Sequence, residues 1–434
     1  MVAGTGSPPQ TARLQSGRRA LSVCIVAYKD LTSNTRVARQ AHALAARGHA
    51  VTVVSFAPPD PRLVGDRADF AATGVPKVGA ALAVAVALAG SILGQAAGGP
   101  VRLAAALGGR FGQLRCQQFG LQAAKLCRGR RFDVVQAHFD KALIAAAAIR
   151  EQCGGRLVFD AVELPFDRDS LPAPADQRAL RLAEIAREQE IARTADQWLT
   201  VGGTLAAEIT RRFRIAAPLV VRNCRQPHLA PDARIRRDLG LDGAAQLVLA
   251  LNSVRAGEGV EVIVEALRHL PAHVHLAILG QGTDGAGGER LRSIAAAAGA
   301  GGRLHLPPLQ PASEVIGYAS GADMGIIPRQ PVTDNLSLSL PNRFFEMVAA
   351  GLPLAVSRVG EIAALVDHHG IGVVFDENNP RAAAAAIAEV LDLLRQGDLK
   401  ARVLAAAHQL SWDREQIAYV ELIESLGQQE NRRG

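Results

Sequence analysis

Apolar, β-branched runs alternate with amphipathic helical stretches along most of the chain. The first run, "LSVCIVAY", is continuously apolar, as a strand buried on both faces must be. A polar loop, "KDLTSNT", leads into "RVARQAHALAARG". There Val37, Ala41, Leu44 and Ala45 share one helical face, and Gly48 supplies a C-terminal stop. "HAVTVVSF" is the next apolar run. Strand, loop, helix and strand in close succession predict a βαβ unit in a parallel sheet.

The alternation continues. "DVVQAH", "RLVFDA", "QWLTV" and "PLVVRN" predict strands, separated by helices over 140–152, 176–194 and 204–212. "CRQPHLAPDAR" is polar and carries Pro227 and Pro231, which interrupts the pattern. The alternation then restarts with "QLVLALN", "HVHLAILG", "RLHLP", "ADMGIIP", "LPLAVS" and "GVVF". The tail is helical, and its last stretch places Tyr419, Val420, Ile423 and Leu426 on one face. The expected organisation is a disordered leader (1–19), an N-terminal α/β domain (20–223), a linker (224–235), a C-terminal α/β domain (236–400), and helices packing back on the body (401–434). The fold class expected is α/β: two tandem doubly wound, Rossmann-like domains facing a cleft. Ligands of such sheets bind outside the carboxyl ends of the strands, so the loops after the strands hold the candidate chemistry.

Composition narrows the picture. Of 434 residues, 49% are hydrophobic but only 4% aromatic, so the cores are built from Ala, Val, Leu and Ile. The net charge of +7 suits an anionic partner. No basic block with interleaved aromatics points to nucleic acid. Five widely spaced cysteines without a C-x-x-C pair predict reduced, mostly buried thiols and no metal site. The leader has no apolar core and is not a secretion signal. Val78–Val101 is uncharged over 24 residues, but rich in Ala and Gly, with basic residues after it. Peripheral membrane contact through this segment, a membrane span and a lobe of a soluble domain are its three readings. The expected location is the cytoplasm, with peripheral contact at the inner membrane face.

Four loops carry candidate residues. After the first strand, Ser33, Asn34 and Thr35 open a helix and present N–H groups to an anion, or simply cap it. His138 and Asp140 follow "DVVQA"; the His suits proton transfer or orientation of a hydroxyl, or simply packs, and Asp140 equally suits a helix cap. Gly280 and Gly282, in "GQGTDGAGG", let a ligand approach the backbone, or form an ordinary turn. The fourth is "LPNRFFEMVAAGLPLAV". Ser339, Pro341 and Asn342 start a helix whose first N–H groups are free for an anion. Glu346 lies about one turn in. It either grips a ligand or pairs with Arg343 one turn back.

At these residues the chain resembles the retaining, nucleotide-sugar-dependent enzymes of glycosyltransferase family 4, with the GT-B fold. The stretch "LPNRFFEMVAAGLPLAV" is similar to the helix that carries their ribose-binding glutamate. "NTRVARQAHALAARGHAVTVVS", "DVVQAHFD", "LVFDAVEL", "LVVRN", "GEGVEVIVEAL", "LAILGQG" and "ADMGIIP" resemble other family segments in order, over about Leu21 to Phe375. The resemblance implies that Glu346 holds ribose hydroxyls, that amides around Ser339 and Leu340 meet a diphosphate, and that Gly280 and Gly282 line the donor pocket. It implies a nucleotide diphosphate-sugar donor, a glycan or lipid-linked acceptor on the N-terminal side, retention of configuration, and no bound metal or other cofactor.

Four positions depart from the family pattern. Ser253 and Glu258 stand where an Arg and a Lys usually neutralise the diphosphate, Val162 where a His ends a strand, and Leu338 where a first glutamate precedes Glu346. Arg255 and Arg343 are the candidate replacement cations. The expectation is therefore a glycosyltransferase. The alternative is a non-catalytic GT-B sugar-nucleotide-binding or scaffolding protein, and a third reading is a sugar-nucleotide epimerase.

Overall fold

The structure is a computed structural model of the 434-residue chain. It describes residues 19–29, 31, 35–57, 69–72, 116–166, 175–228, 230 and 232–430. Ser33, Asn34, the leader before residue 19 and Val78–Val101 lie outside the described residues. The chain forms two compact units, one of 1–161, 170–198 and 418–434, the other of 162–169 and 199–417.

The seven-stranded sheet comprises β1 (Ser22–Ala27), β2 (Ala50–Ser55), β3 (Asp69–Ala72), β4 (Val134–His138), β5 (Arg156–Ala161), β6 (Gln197–Thr200) and β7 (Leu219–Val220). Their spatial order is β3-β2-β1-β4-β5-β6-β7. The six-stranded sheet comprises β8 (Gln246–Ala250), β9 (Val274–Ile278), β10 (Leu304–His305), β11 (Met324–Ile327), β12 (Leu354–Ser357) and β13 (Gly372–Phe375), ordered β10-β9-β8-β11-β12-β13. Both are parallel and doubly wound. Each reverses direction beside its first strand, between β1 and β4 in one sheet and between β8 and β11 in the other. Such a reversal opens a crevice at the carboxyl ends of the two strands. β3 has no counterpart among the predicted strands; four residues at a sheet edge give little pattern to read.

The sheet cores follow the apolar runs. Val23 to Ala27 on β1 are fully buried, as are Leu354 to Val356 on β12. Tyr419, Val420, Ile423 and Leu426, the predicted apolar face of the last helix (Trp412–Glu430), are all buried. All five cysteines are buried free thiols. Among the described residues no helix is long and apolar enough to cross a membrane.

The first unit also buries charge. In register, His138 on β4 faces Asp160 on β5. Asp160 is fully buried and receives two hydrogen bonds from the Arg36 guanidinium, at 2.9 and 2.8 Å. Gln40 donates to the same carboxylate at 3.0 Å, and His138 Nδ1 lies 3.1 Å from it. Gln136 donates to Gln40, and the Tyr419 hydroxyl donates to Gln136 at 2.9 Å. Arg36 and Gln40, one turn apart, thus extend the buried face of the Thr35–Ala46 helix beyond its apolar stripe.

Burial pushes the Asp160 carboxyl up, but Arg36 and His138 outweigh it and hold it well below the usual carboxylate range. A depressed acid contributes stability above its unfolded pKa and loses it as pH falls through the folded one. Asp160→Ala removes the carboxylate that the buried Arg36 guanidinium meets, and breaking a buried ion pair costs about 3–5 kcal/mol. Urea unfolding at pH 7 is expected to show this loss. The gap to wild type is expected to narrow progressively as pH falls below about 4, where Asp160 of the unfolded chain takes up a proton while the folded carboxylate is still ionised.

Candidate functional site

The carboxyl ends of β8 and β11 are pressed together by their main chains. Gly259, in the loop after β8, has φ +66°, and a Cβ there would lie 1.7 Å from the Pro328 carbonyl oxygen after β11. Gln330 N–H donates to the Gly257 carbonyl at 2.9 Å, lacing the same two loops. The β9 loop closes on them as well. A Cβ on Gly280 would lie 1.9 Å from the Asn252 oxygen, so the neighbour Gly280 makes room for is protein backbone. Gly282 takes a left-handed turn, φ +85°, beside Val254.

This crowding gathers charge. Glu258 is fully buried, and Asn252 donates to its carboxylate at 3.0 Å. Arg255 donates to it at 2.9 Å and Arg343 Nη1 lies 2.5 Å from it. Burial pushes the Glu258 carboxyl up, but Arg343 and Arg255 outweigh it and hold it below its ordinary value. The acid at the expected cation position is therefore an internal counter-ion. Ser253 follows Asn252 at the end of β8 and places no charge there.

Arg329, directly after β11, is the cation that the sequence reading missed. It is 5% exposed and donates to the Ser339 carbonyl at 3.0 Å and to Ser339 Oγ at 2.8 Å. Burial, reinforced by Arg343, lowers its pKa to about 10. The signal was an arginine directly after an apolar strand, "GIIPRQ".

The helix Asn342–Ala349 starts beside this group with Pro341 at its cap and no side chain capping it. The first-turn N–H groups of Asn342 and Arg343 have no intrahelical acceptor. Ser339 N–H donates to the Asn335 carbonyl at 2.9 Å, within a short helix, Asp334–Leu338, that the sequence pattern does not predict. Leu340 is buried. Phe344, Phe345 and Val348 fill the core beneath, which turns Glu346 away from it.

Glu346 pairs not with Arg343 but with Arg225, whose Nη2 donates to Oε1 at 2.6 Å. Arg343 faces the fully buried Glu258 instead, where a desolvated charge most needs a partner. Arg225 lies in the stretch read as a linker, yet it is 7% exposed, and its carbonyl accepts from Trp412 N–H. No spacing rule exposes a pair 121 residues apart. The Glu346 side chain remains 22% exposed, so its carboxylate can still accept hydroxyl hydrogen bonds.

In the first unit, His138 ends β4 and is 1% exposed. Burial lowers its pKa against the pull of Asp160. The next residue, Phe139, has φ 66°, strained for an aromatic residue, and carries the Lys29 ammonium 3.4 Å from its ring centroid. Asp140 accepts from Lys141 N–H at 2.8 Å and pairs with Arg181 at 3.2 Å. Arg181 also pairs with the buried Glu188 at 2.9 Å. Thr35 Oγ1 accepts from Arg39. Val162 follows β5. Among the described residues no group of three or more His, Cys, Asp or Glu could hold a metal ion.

Two doubly wound parallel sheets in one chain are the architecture of the GT-B glycosyltransferases. Two family descriptions match adjoining stretches: "Glycosyl transferase 4-like domain" over residues 32–224 and "Glycosyl transferases group 1" over 231–403. Together the two matches span most of the chain and support a glycosyltransferase of GT-B type. It is 27% identical over 288 residues to a D-inositol 3-phosphate glycosyltransferase of Thermobispora bispora, covering 60% of this chain and 63% of the relative. It is 26% identical over 308 residues to the protein of that name from Xylanimonas cellulosilytica, covering 67% and 71%. The chain thus spans less than two thirds of the first relative's length.

Solved structures share the fold. Sucrose-phosphate synthase from Thermosynechococcus elongatus superposes with a TM-score of 0.66 at 16% identity, over 94% of this chain and 99% of the other. Anabaena HepE in complex with UDP and glucose superposes with a TM-score of 0.65 at 12% identity, over 93% and 100%.

Arg225→Met is expected to leave Glu346 without its charged partner. A hydrogen bond to a charged group is worth about 1.5–3 kcal/mol. Urea unfolding of the variant is expected to show a loss in that range, and wild-type stability would mean that the pair contributes nothing.

Proposed function

We propose that the protein transfers a sugar from a nucleotide diphosphate-sugar to a glycan or lipid-linked acceptor, with retention of the anomeric configuration. The observation that carries this reading is the Asn342–Ala349 helix at the crevice of the second sheet. It presents free N–H groups and the dipole's positive end to a diphosphate, and Glu346 one turn in to ribose hydroxyls. HepE has been solved with UDP-glucose, which supports a nucleotide-sugar donor for the shared fold. The curated relatives are named for D-inositol 3-phosphate, a polyol, which supports a hydroxyl as the acceptor group. We assign the donor to 236–400 and the acceptor to 20–223, with His138 and Asp140 on the acceptor side.

The chemistry asked of the protein is positioning and electrostatics. Fixing donor and acceptor hydroxyl together removes the entropic part of the barrier. Donors aimed at the departing diphosphate stabilise the charge that grows on it as the glycosidic bond breaks. A non-catalytic GT-B binding protein is the second reading, favoured by Ser253 and Glu258 at the family's cation positions.

A thermal-shift screen of UDP-, GDP- and ADP-sugars is expected to find one stabilising donor. At about 100 times its dissociation constant it adds about 2.7 kcal/mol. Glu346→Ala is expected to lose at least tenfold in affinity; unchanged affinity would remove Glu346 from the site. Release of free nucleoside diphosphate with an acceptor present separates the two readings, since the binding protein gives none. Contact with a membrane through Val78–Val101 belongs to the same proposal and predicts binding to anionic vesicles that weakens with salt.

A further inference from the structure

The helix Ala175–Arg193 buries a carboxyl group that its surroundings only half satisfy. Glu188 is fully buried. Its Oε1 accepts from Arg181 at 2.9 Å, while its Oε2 has no hydrogen-bond partner. A buried carboxylate oxygen without a donor is costly, and a proton on the group removes the charge that makes it so.

Arg181 does not serve Glu188 alone. Nη1 also donates to Glu184 at 3.2 Å, and Nη2 donates to Asp140 at 3.2 Å. One guanidinium thus meets three carboxyl groups, two on its own helix and one in the turn after β4. Arg181, Glu184 and Glu188 share a helical face because they stand three and then four residues apart. Their depths are graded: the Asp140 side chain is 23% exposed, Glu184 15% and Glu188 0%. Desolvation therefore falls hardest on Glu188. Burial, then the charge of Asp140, pushes its carboxyl up to about 7 against the pull of Arg181, and Glu184 adds to the rise.

The remaining charged groups nearby weigh less. Burial pushes the Cys116 thiol up to about 11, so it stays neutral. Lys141 acts on Cys116 from beside Asp140, and Arg187 lines a small cavity with Cys116 and Glu184. Both cations are exposed and screened by water. Asp140 is the member of the cluster with a place in the crevice. It stands two residues after His138, at the reversal between β1 and β4, and its other oxygen accepts only from the adjacent Lys141 N–H.

We propose that Glu188 is a positioning residue for Asp140: the two carboxylates compete for Arg181, and a proton on Glu188 leaves more of that guanidinium to hold Asp140. With Glu188 neutral, Arg181 faces two anions. With Glu188 ionised it faces three, and Asp140 presents more negative charge at the end of β4. An acceptor hydroxyl donating to Asp140 is then bound more tightly. That last step rests on the acceptor-side reading of Asp140 given above; the competition for Arg181 does not.

The test is urea unfolding of the full chain from about pH 5 to about pH 8, for wild type and Glu188→Gln. An acid raised by folding contributes stability below its unfolded value and loses it as pH rises through the folded one. Wild type is therefore expected to lose stability relative to Glu188→Gln between about pH 5 and pH 7, by up to about tenfold in the folding constant per pH unit. Glu188→Asp, which keeps a titrating group, is expected to restore part of that slope. Asp140→Asn removes a repelling charge and releases Arg181 to Glu188, so it is expected to move the midpoint of the loss to lower pH. Should Glu188→Gln fail to fold, Asp140→Asn at the partly exposed end of the cluster carries the test against wild type.

The outcomes separate. Parallel profiles for wild type and Glu188→Gln, or an unmoved midpoint in Asp140→Asn, overturn the competition for Arg181. In an assay of nucleoside diphosphate release, the acceptor KM of wild type is expected to fall several-fold from about pH 6 to about pH 8 and that of Glu188→Gln to stay level. Equal pH dependence in both overturns the acceptor step. A chain that shows the stability profiles but releases no nucleoside diphosphate overturns the function proposed above, and the acceptor step with it, and leaves the competition standing.

Discussion

The backbone contact between Gly259 and Pro328 is the constraint on which the second unit's site depends. Two loops that leave neighbouring parallel strands meet with no room for a side chain between them. That closeness sets Glu258 and Arg329 in one desolvated space and lets Arg343 reach the same carboxylate from the next helix. The electrostatics at the crevice are therefore a consequence of steric fit. A larger residue at position 259 would separate the loops and dissolve the charge cluster before touching any charged side chain.

Buried ions serve different ends in the two units. In the first, Arg36, Asp160, Gln40, Gln136, His138 and Tyr419 satisfy one another, and the network fixes the orientation of a helix, two strands and the chain's end. In the second, the Arg329 guanidinium hydrogen-bonds to Ser339 rather than to a carboxylate. A satisfied network contributes specificity and order. Asp140, paired with Arg181 beside the buried Glu188, is a further polar feature at the end of β4.

Much of the architecture was legible in the sequence because it rests on local periodicity. The apolar runs gave the buried strands, and the helical stripes gave the helices, including the face of the last one. "LPNRFFEMVAAG" marked the helix start and the carboxylate. What escaped depends on distance along the chain. Arg225 looked like a linker residue because its partner, Glu346, lies far beyond any local pattern. Glu258 stands where the family pattern has a cation, and no local spacing names Arg343 as its partner. Asp160 sat inside an apolar strand, a signal of buried charge open to reading, but nothing nearby named Arg36. Four-residue β3 and five-residue Asp334–Leu338 were too short to show a period.

The hydrogen bond from Tyr419 to Gln136 carries a consequence for the order in which the molecule assembles. The strand bearing Gln136 is made 283 residues before the tyrosine that covers it. The first unit therefore emerges from the ribosome with a polar side chain and an apolar surface still uncovered, and completes itself only after the whole second unit has been produced. A nascent chain halted before residue 418 lacks the segment that covers β4, so protection of β4 from proteolysis is acquired only after the second unit has been made rather than domain by domain.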